Sequence, residues 1–452
     1  MFLVENLLVF FIILFAYFVL VMLLHKKGIL EKYNISLYGP ALLLRTTKGI
    51  EFLKKIASRK RFWKAFGSFG VVFCFIMMIL MIALLAFQTW TVMEFTPEQQ
   101  AAMPGIEFGL VIPGINPILP LEYIFYILLA LIVAVIVHEF SHGILTFASK
   151  LKVKSLGILY FIIPLGAFCE PDEEQLRKTK TSNRMRVYAA GPTSNFAVVL
   201  ISLLLFSFVF MSAVQPMEGA HVFYVVEDTP ADEIGLSSGA VITEINDTKI
   251  TNLSDFYSVI KYTRTGQNIS ISYFEQGSIY STNVTLADRS NYTKNESHEN
   301  QSFLGVGFNP YGGYISVLKN PFTQDFPNGL ILLYALPFFG YMVGYNPIAS
   351  PFTDSLTITG PLGIMPDNIF WVIVNTLYWI FWLNLAVGLF NVLPIIPLDG
   401  GFLFNDAVKA FIKRIKKSVT NEQREKIAKN ISAVISLIVL VIVLFPWLVK
   451  YF

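Results

Sequence analysis

The sequence predicts a mainly α, polytopic membrane protein of about six transmembrane helices, with a small extracytoplasmic α+β domain inserted between core helices. Three observations predict it. Hydrophobic residues make up 54% of the 452-residue chain and charged residues only 14%, where a soluble domain carries about a quarter charged. Apolar runs near 5–24, 69–88, 120–148, 190–213, 369–392 and 430–448 approach the roughly 20 residues that a span needs. Between 218 and 290 the pattern changes to short alternating runs with turn signals.

In chain order, the first run carries Glu5 instead of a basic cluster, and no small-residue cleavage site follows it. It is expected as a retained helix, not a signal peptide. Lys26, Lys27 and "KKIASRKRFWK" at 54–64 form one basic segment. Lys150, Lys152, Lys154, Arg177, Lys178, Lys180, Arg184 and Arg186 form a second, and 409–429 a third. Cytoplasmic loops carry the excess of Lys and Arg, so all three are expected inside, with the N-terminus, 89–119 and 214–368 outside. The stretch "GLILLYALPFFGYMVGY" at 329–345 is shorter and interrupted by Gly and Pro; it reads as re-entrant or interfacial. The expected organisation is 1–119, two spans with a basic loop; 120–213 and 303–405, two halves of a core; 214–302, the insert and its linker; and 406–452, a basic segment and a last span. Cys74 and Cys169 offer neither a disulfide framework nor a cysteine zinc site. A net charge of +3 makes no case for nucleic acid.

In the insert, "HVFYVVEDTPADEIGLSSGAVITEINDTKI" reads as strand, turn, short helix, Gly-punctuated turn and strand, with Asn246-Asp247 as a tight turn. "NISISYFEQG" and "IYSTNVTLAD" read as a hairpin, and 291–302 as a linker. Seven N-x-S/T sequons, at Asn246, Asn252, Asn268, Asn283, Asn291, Asn295 and Asn300, suit an extracytoplasmic position. Pro230, Ala231, Gly235, Leu236, Gly239, Val241, Ile242, Ile245 and Asn246 give the stretch a pattern that resembles a PDZ domain of the permuted bacterial and archaeal type. The resemblance implies capture of a peptide end by strand addition, although the loop for a terminal carboxylate is poorly defined near Gly219.

"LLALIVAVIVHEFSHGILTFASK", residues 128–150, begins as a span and then carries His138, Glu139 and His142. An ionisable side chain at the bilayer centre costs roughly 2.5–3.5 kcal/mol. H-E-x-x-H puts two imidazoles on one helix face, where they can share a metal ion, with a carboxylate beside them to take a proton from water. A third ligand is missing. His221 and His298 fall in the insert and His25 beside Lys26, so a carboxylate from another membrane segment is the better choice. Asp399, in "GLFNVLPIIPLDGGFLF", is that carboxylate or else a helix cap before Gly400-Gly401. At about 1.5 Å per helical residue, Asp399 stands as far from Lys409 as the two histidines stand from Lys150. Pro394 and Pro397 argue against a continuous helix there, and irregular backbone at membrane depth must line a protein-walled or wet cavity.

With these motifs the chain resembles the site-2 protease family of intramembrane zinc metalloproteases. HExxH is His138 to His142, GxxxN is Gly191 to Asn195, and NxxPxxPxDG is Asn391, Pro394, Pro397, Asp399 and Gly400. "TGPLGI" at 359–364 adds to the match. The resemblance implies one zinc ion held by His138, His142 and Asp399, and Glu139 as general base. It implies that Asn391 positions the substrate or stabilises the oxyanion, and that Asn195 lies near the substrate. Gly191-Pro192 reads equally well as a helix start. "LGILYFIIPLGAFCE" at 156–170 resembles the family's membrane-embedded β-like segment, where an edge strand would hold an extended substrate. The family implies a single-span membrane protein as substrate, with the active site in the cytoplasmic half of the bilayer. Two other classes compete: a catalytically silent scaffold or receptor, against which the intact Glu139 and Asp399 argue, and a metal or ion transporter, against which the lack of paired broken helices argues.

Overall fold

Without water, a chain segment in lipid must satisfy its backbone groups internally, which makes long apolar runs helical. The computed structural model describes residues 15–39, 41–109, 112–161, 163–293, 300–308, 314–322, 327–343, 346, 348–416 and 418–451. Among these, five helices are long and apolar enough to cross a membrane: Lys60–Met93, Leu121–Ala148, Thr181–Ala213, Asp367–Asn391 and Asn421–Tyr451. They account for five of the expected runs. Of the run at 5–24, residues 5–14 lie outside the described residues and the rest joins the helix Phe15–Lys26. Also outside them are His298, the Asn295 sequon, residues 294–299 of the expected linker, and Gly344 and Tyr345 of the short apolar run. The remainder of that run forms the helix Asn328–Val343, about 24 Å long and so short of the roughly 30 Å hydrocarbon core.

Two compact units make up the chain. The first comprises Met1–Ile106, Leu128–Val199 and Leu383–Phe452, the second Glu107–Ile127 and Leu200–Trp382.

In the first unit the basic segment after Lys27 is more than the loop its charges suggest. Strands β1 (Ile35–Tyr38) and β2 (Ala41–Thr46) form a hairpin that continues through β3 (Val153–Phe161) and β4 (Ile163–Pro171) as one four-stranded antiparallel sheet. Gly39, at φ 56°, supplies the left-handed conformation of the hairpin turn. The sheet rests on a core of Leu53, Ile144, Leu145, Leu156, Cys169 and Val187. Helix Lys60–Met93 packs its small residues against the next two spans: a Cβ at Gly67 would lie 2.7 Å from Leu145 Cδ1, and one at Gly70 would lie 2.4 Å from Thr193 Oγ1. Small residues let helices approach closely where hydrophobicity gives no drive to associate. Gly191-Pro192 is not a helix start: Pro192 sits inside the helix Thr181–Leu204. The lost backbone donor is tolerated because neighbouring groups re-satisfy the freed carbonyls in such bundles.

In the second unit a short ladder joins β5 (Val214–Pro216) to β14 (Leu356–Ile358). The insert is a sheet in the order β10-β9-β7-β6-β13, formed by Ser278–Thr285, Asn268–Glu275, Val241–Ile245, Ala220–Val225 and Val306–Phe308; β8 (Thr248–Lys249) pairs with β7. A two-stranded ladder of β11 (Ala287–Asp288) and β12 (Ser302–Phe303) closes one side. Both expected turns form. Asn246 and Asp247 have φ of 45° and 57°, and Gln276 and Gly277 have 47° and 81°, the double positive φ that two-residue hairpins favour. Alternate strand residues face the helix Leu253–Ile260 and bury a core that includes Val222, Ile242, Ile245, Phe256, Ile269 and Ile271. A cavity of about 270 Å³ touches Gly219, His221 and Phe352, and one of about 520 Å³ lies between helix residues Phe256 and Lys261 and strand β13.

His221 Nε2 donates to the Met217 carbonyl at 2.9 Å, and burial lowers its pKa. The unfolded chain therefore binds the proton more tightly. The contribution of His221 to stability is complete above its ordinary value of about 6.5 and is lost as pH falls through the depressed folded value. Thermal unfolding from pH 8 to pH 5 is expected to show wild type losing more stability than His221→Gln, with the two curves diverging below about pH 6.5.

Candidate metal centre

His138 and His142 stand four residues apart on the helix Ile124–Ala148, with ring centroids 4.8 Å apart. Each ring is held by its Nδ1. That of His138 meets Asn195 Oδ1 at 2.7 Å, and that of His142 meets the Val187 carbonyl at 2.7 Å. The amide orientation of Asn195 is set independently, because its Nδ2 donates to the Ala134 carbonyl at 3.0 Å and to Asn384 Oδ1 at 2.9 Å. Both Nδ1 atoms therefore carry protons and donate, so in the neutral rings both Nε2 atoms are lone-pair acceptors.

Asp399 faces those lone pairs. The helix Asp367–Asn391 ends at Asn391, an irregular turn follows, and a new helix, Asp399–Ile415, begins at Asp399 itself. Its carboxylate thus sits at a helix start, where the partial positive charge of the first turn favours an anion. Asp399 Oδ2 lies 2.9 Å from His138 Nε2 and 3.2 Å from His142 Nε2, yet it is buried and accepts no hydrogen bond. The ligand atoms of the three residues lie within 4.8 Å of one another. Three such groups in contact repel unless a metal cation or a proton stands among them. At roughly 2.0–2.2 Å from a tetrahedral zinc ion, ligand atoms are about 3.3–3.6 Å apart, the same scale. The neighbouring backbone also keeps this volume clear: a Cβ at Gly191 would lie 2.5 Å from His138 Nε2 and 2.6 Å from His142 Nε2. The residues present fit a metal ion.

Two features hold the aspartate in place. A Cβ at Gly400 would lie 2.3 Å from the Val392 carbonyl oxygen and one at Gly401 would lie 2.6 Å from that of Ile395, so the paired glycines let the helix start nest in the preceding turn. Two turns further on, Asp406 receives a bidentate pair from Arg184 at 2.7 and 3.0 Å. That pair, 13% and 5% exposed, ties the Asp399 helix to the helix carrying Asn195. Glu139 is half-buried, and its Oε2 accepts the Cys169 backbone N–H of strand β4 at 2.8 Å.

Among the sequence-designated residues, His138, His142 and Asp399 are brought together, with Glu139 beside them on the same helix. Asn195 is fully buried behind His138 with its amide committed on both sides. Asn391 is half-buried and its Nδ2 donates one turn back to the Val387 carbonyl at 3.0 Å. Asn384 and the Arg184–Asp406 pair escape the sequence reading. A lone Asn in "YWIFWLNLAVGLF" and an acid seven residues after Asp399 are their only signals.

A multi-pass membrane chain with HExxH on one candidate span and an aspartate facing it from the start of a helix beyond another has the hallmarks of a membrane metallopeptidase. The chain belongs to peptidase family M50, the site-2 protease family, whose model matches residues 126–439. An uncharacterized protein of Methanocaldococcus jannaschii is 29% identical over 383 residues, covering 84% of this chain and 80% of its own. The zinc metalloprotease RasP of Shouchella clausii is 26% identical over 242 residues, and this chain spans 52% of its length. RasP of Oceanobacillus iheyensis is 24% identical over 242 residues, 53% of its length. Among solved structures, the PDZ domain of an SdrC-like protein from Listeria monocytogenes matches 21% of this chain and 90% of that chain, at 20% identity and a TM-score of 0.18.

Removing the partner of a metal-bound histidine costs about 10–100-fold in metal affinity. Asn195→Ala is expected to weaken zinc binding to that extent in competition titrations against a chelating dye. Gly191→Ala, whose methyl group occupies the space between the imidazoles, is expected to abolish stoichiometric zinc in the purified protein.

Proposed function

We propose that this chain is an intramembrane zinc metalloprotease that hydrolyses peptide bonds within or near the spans of single-span membrane proteins. The observation that carries the reading is the convergence of His138 Nε2, His142 Nε2 and Asp399 Oδ2 beside a carboxylate, with both histidines on a helix long and apolar enough to cross a bilayer. His138, His142 and Asp399 would hold one zinc ion, which would supply Lewis acidity to polarise the scissile carbonyl and lower the pKa of water.

The chain's own groups do the rest. The Cys169 amide holds Glu139 Oε2 and leaves the other carboxylate oxygen to take a proton from the attacking water and return it to the leaving amide nitrogen. Asn195 fixes the tautomer of His138, a role its burial supports better than contact with substrate. Asn391, at the end of its helix, is assigned to the substrate carbonyl. Strand order β1-β2-β3-β4 leaves β4 on the sheet's edge. In an antiparallel strand successive residues turn their polar groups to opposite sides, so Ala167 shares with Cys169 the edge that faces Glu139. A substrate unwound into a strand would add there, its carbonyls hydrogen-bonded throughout.

The three basic segments support an orientation with this site in the cytoplasmic half of the cell membrane and the PDZ-like insert outside. A trimmed substrate's new end would dock in the groove of about 520 Å³ beside β13, with Lys261 at its rim.

The test compares purified wild type and Glu139→Gln in liposomes with a single-span reporter. Both are expected to hold about one zinc per chain, with turnover in the variant lower by about 10²–10⁴-fold. Zinc without cleavage in wild type would favour a membrane scaffold, and absence of zinc from both would remove the site.

A further inference from the structure

We infer that the N-terminal hairpin β1–β2 is part of the substrate-binding sheet and that Arg45 is a positioning residue for strand β4 and, through it, for Glu139. The inference rests on the proposed addition of substrate at β4.

The strands of this sheet are "ISLY", "ALLLRT", "VKSLGILYF" and "IPLGAFCEP". Across this largely apolar sheet one polar row runs through all four strands. Arg45 of β2 donates from Nε to Glu170 Oε2 of β4 at 3.2 Å and from its guanidinium to the Ser36 hydroxyl of β1. Ser155 of β3 donates to the same Glu170 oxygen at 2.6 Å. The long reach from β2 to β4 passes over Gly157, the β3 residue paired with Arg45. A Cβ there would lie 2.3 Å from Phe168 Cζ, so the Phe168 ring lies across the gap. The Arg45 guanidinium stands 5.8 Å from the centre of that ring, within range of a cation–π attraction.

Arg45 thus holds the two residues that flank Cys169 on β4. Glu170 and Phe168 take the pull, and Cys169 between them presents its N–H to Glu139 at 2.8 Å. The hairpin has a second consequence. Strand β2 pairs with β3 from Leu42↔Tyr160 to Thr46↔Leu156 and closes the edge that would otherwise compete with β4. The outermost strand at that side, β1, has only four residues, short enough to blunt pairing with another chain. Of the two outer edges, β4 with nine residues is left as the long one.

A pair 34% and 36% exposed contributes little to global stability. Its loss is therefore expected to leave zinc content and thermal unfolding of the full chain close to wild type. Arg45→Ala and Glu170→Gln are each expected to lower kcat/KM for the single-span reporter at least tenfold, with the double variant no worse than either and Arg45→Lys recovering part of the loss. Amide exchange gives a readout that needs no substrate. Residues 163–171 are expected to exchange at least tenfold faster in Arg45→Ala, while 268–285 of the insert stay unchanged. Unchanged exchange across 163–171, or cleavage within twofold of wild type, overturns the inference. If wild type itself fails to cleave, the protease reading has failed, and the exchange result alone decides whether Arg45 holds β4.

Discussion

The organisation of the first unit depends on one electrostatic problem: two imidazoles on an apolar span and a carboxylate at a helix start are held face to face. Hydrogen bonds from Nδ1 to Asn195 and to the Val187 carbonyl turn both Nε2 atoms toward Asp399, and a metal cation or a proton among the three relieves the repulsion. Burying such groups costs several kcal/mol each, while zinc in small peptide sites supplies roughly 10–16 kcal/mol. The surrounding features serve that convergence: a glycine opposite the rings, a paired glycine below the aspartate, and a buried arginine clamp on the helix that carries it.

Around the site, the membrane helices act as carriers of position. The His138 helix supplies two candidate ligands at a four-residue spacing that any α-helix provides. The Asn195 helix supplies the group that orients one of them and, through Arg184, an anchor for the Asp399 helix. The break between Asn391 and Asp399 lets the aspartate enter at a helix start instead of a helix face. Non-helical backbone at this depth is permitted because protein walls it. Strand β4 reaches the same site, since one of its amides binds Glu139.

Much of this was legible in the sequence because it depends on local pattern. Five of the apolar runs form spans, H-E-x-x-H lies on one of them, and the Asn246-Asp247 and Gln276-Gly277 turns fall between their strands. Asp399 was reachable by charge alone, as the lone acid of a long apolar stretch. What the sequence concealed depends on distant partners. The hairpin at 35–46 hides in a basic loop because its strands are short and take their register from β3. Pro192 passed for a helix start because a proline tolerated inside a membrane helix looks no different from one at the first turn.

The sequence by itself determined the membrane class, pointed to His138, His142 and Asp399 as candidate ligands beside a carboxylate, and set the alternation of the insert, because each follows from periodicity or from the cost of a charge in lipid. Only the tertiary structure decided that Asn195 stands behind His138, that Arg184 and Asp406 clamp two helices, and that Arg45 reaches across Gly157 to Glu170. Those pairs are separated by 57, 222 and 125 residues, and no local rule encodes which distant donor meets which acceptor. That is settled by packing, where a missing Cβ at Gly191 or Gly157 is as decisive as any side chain.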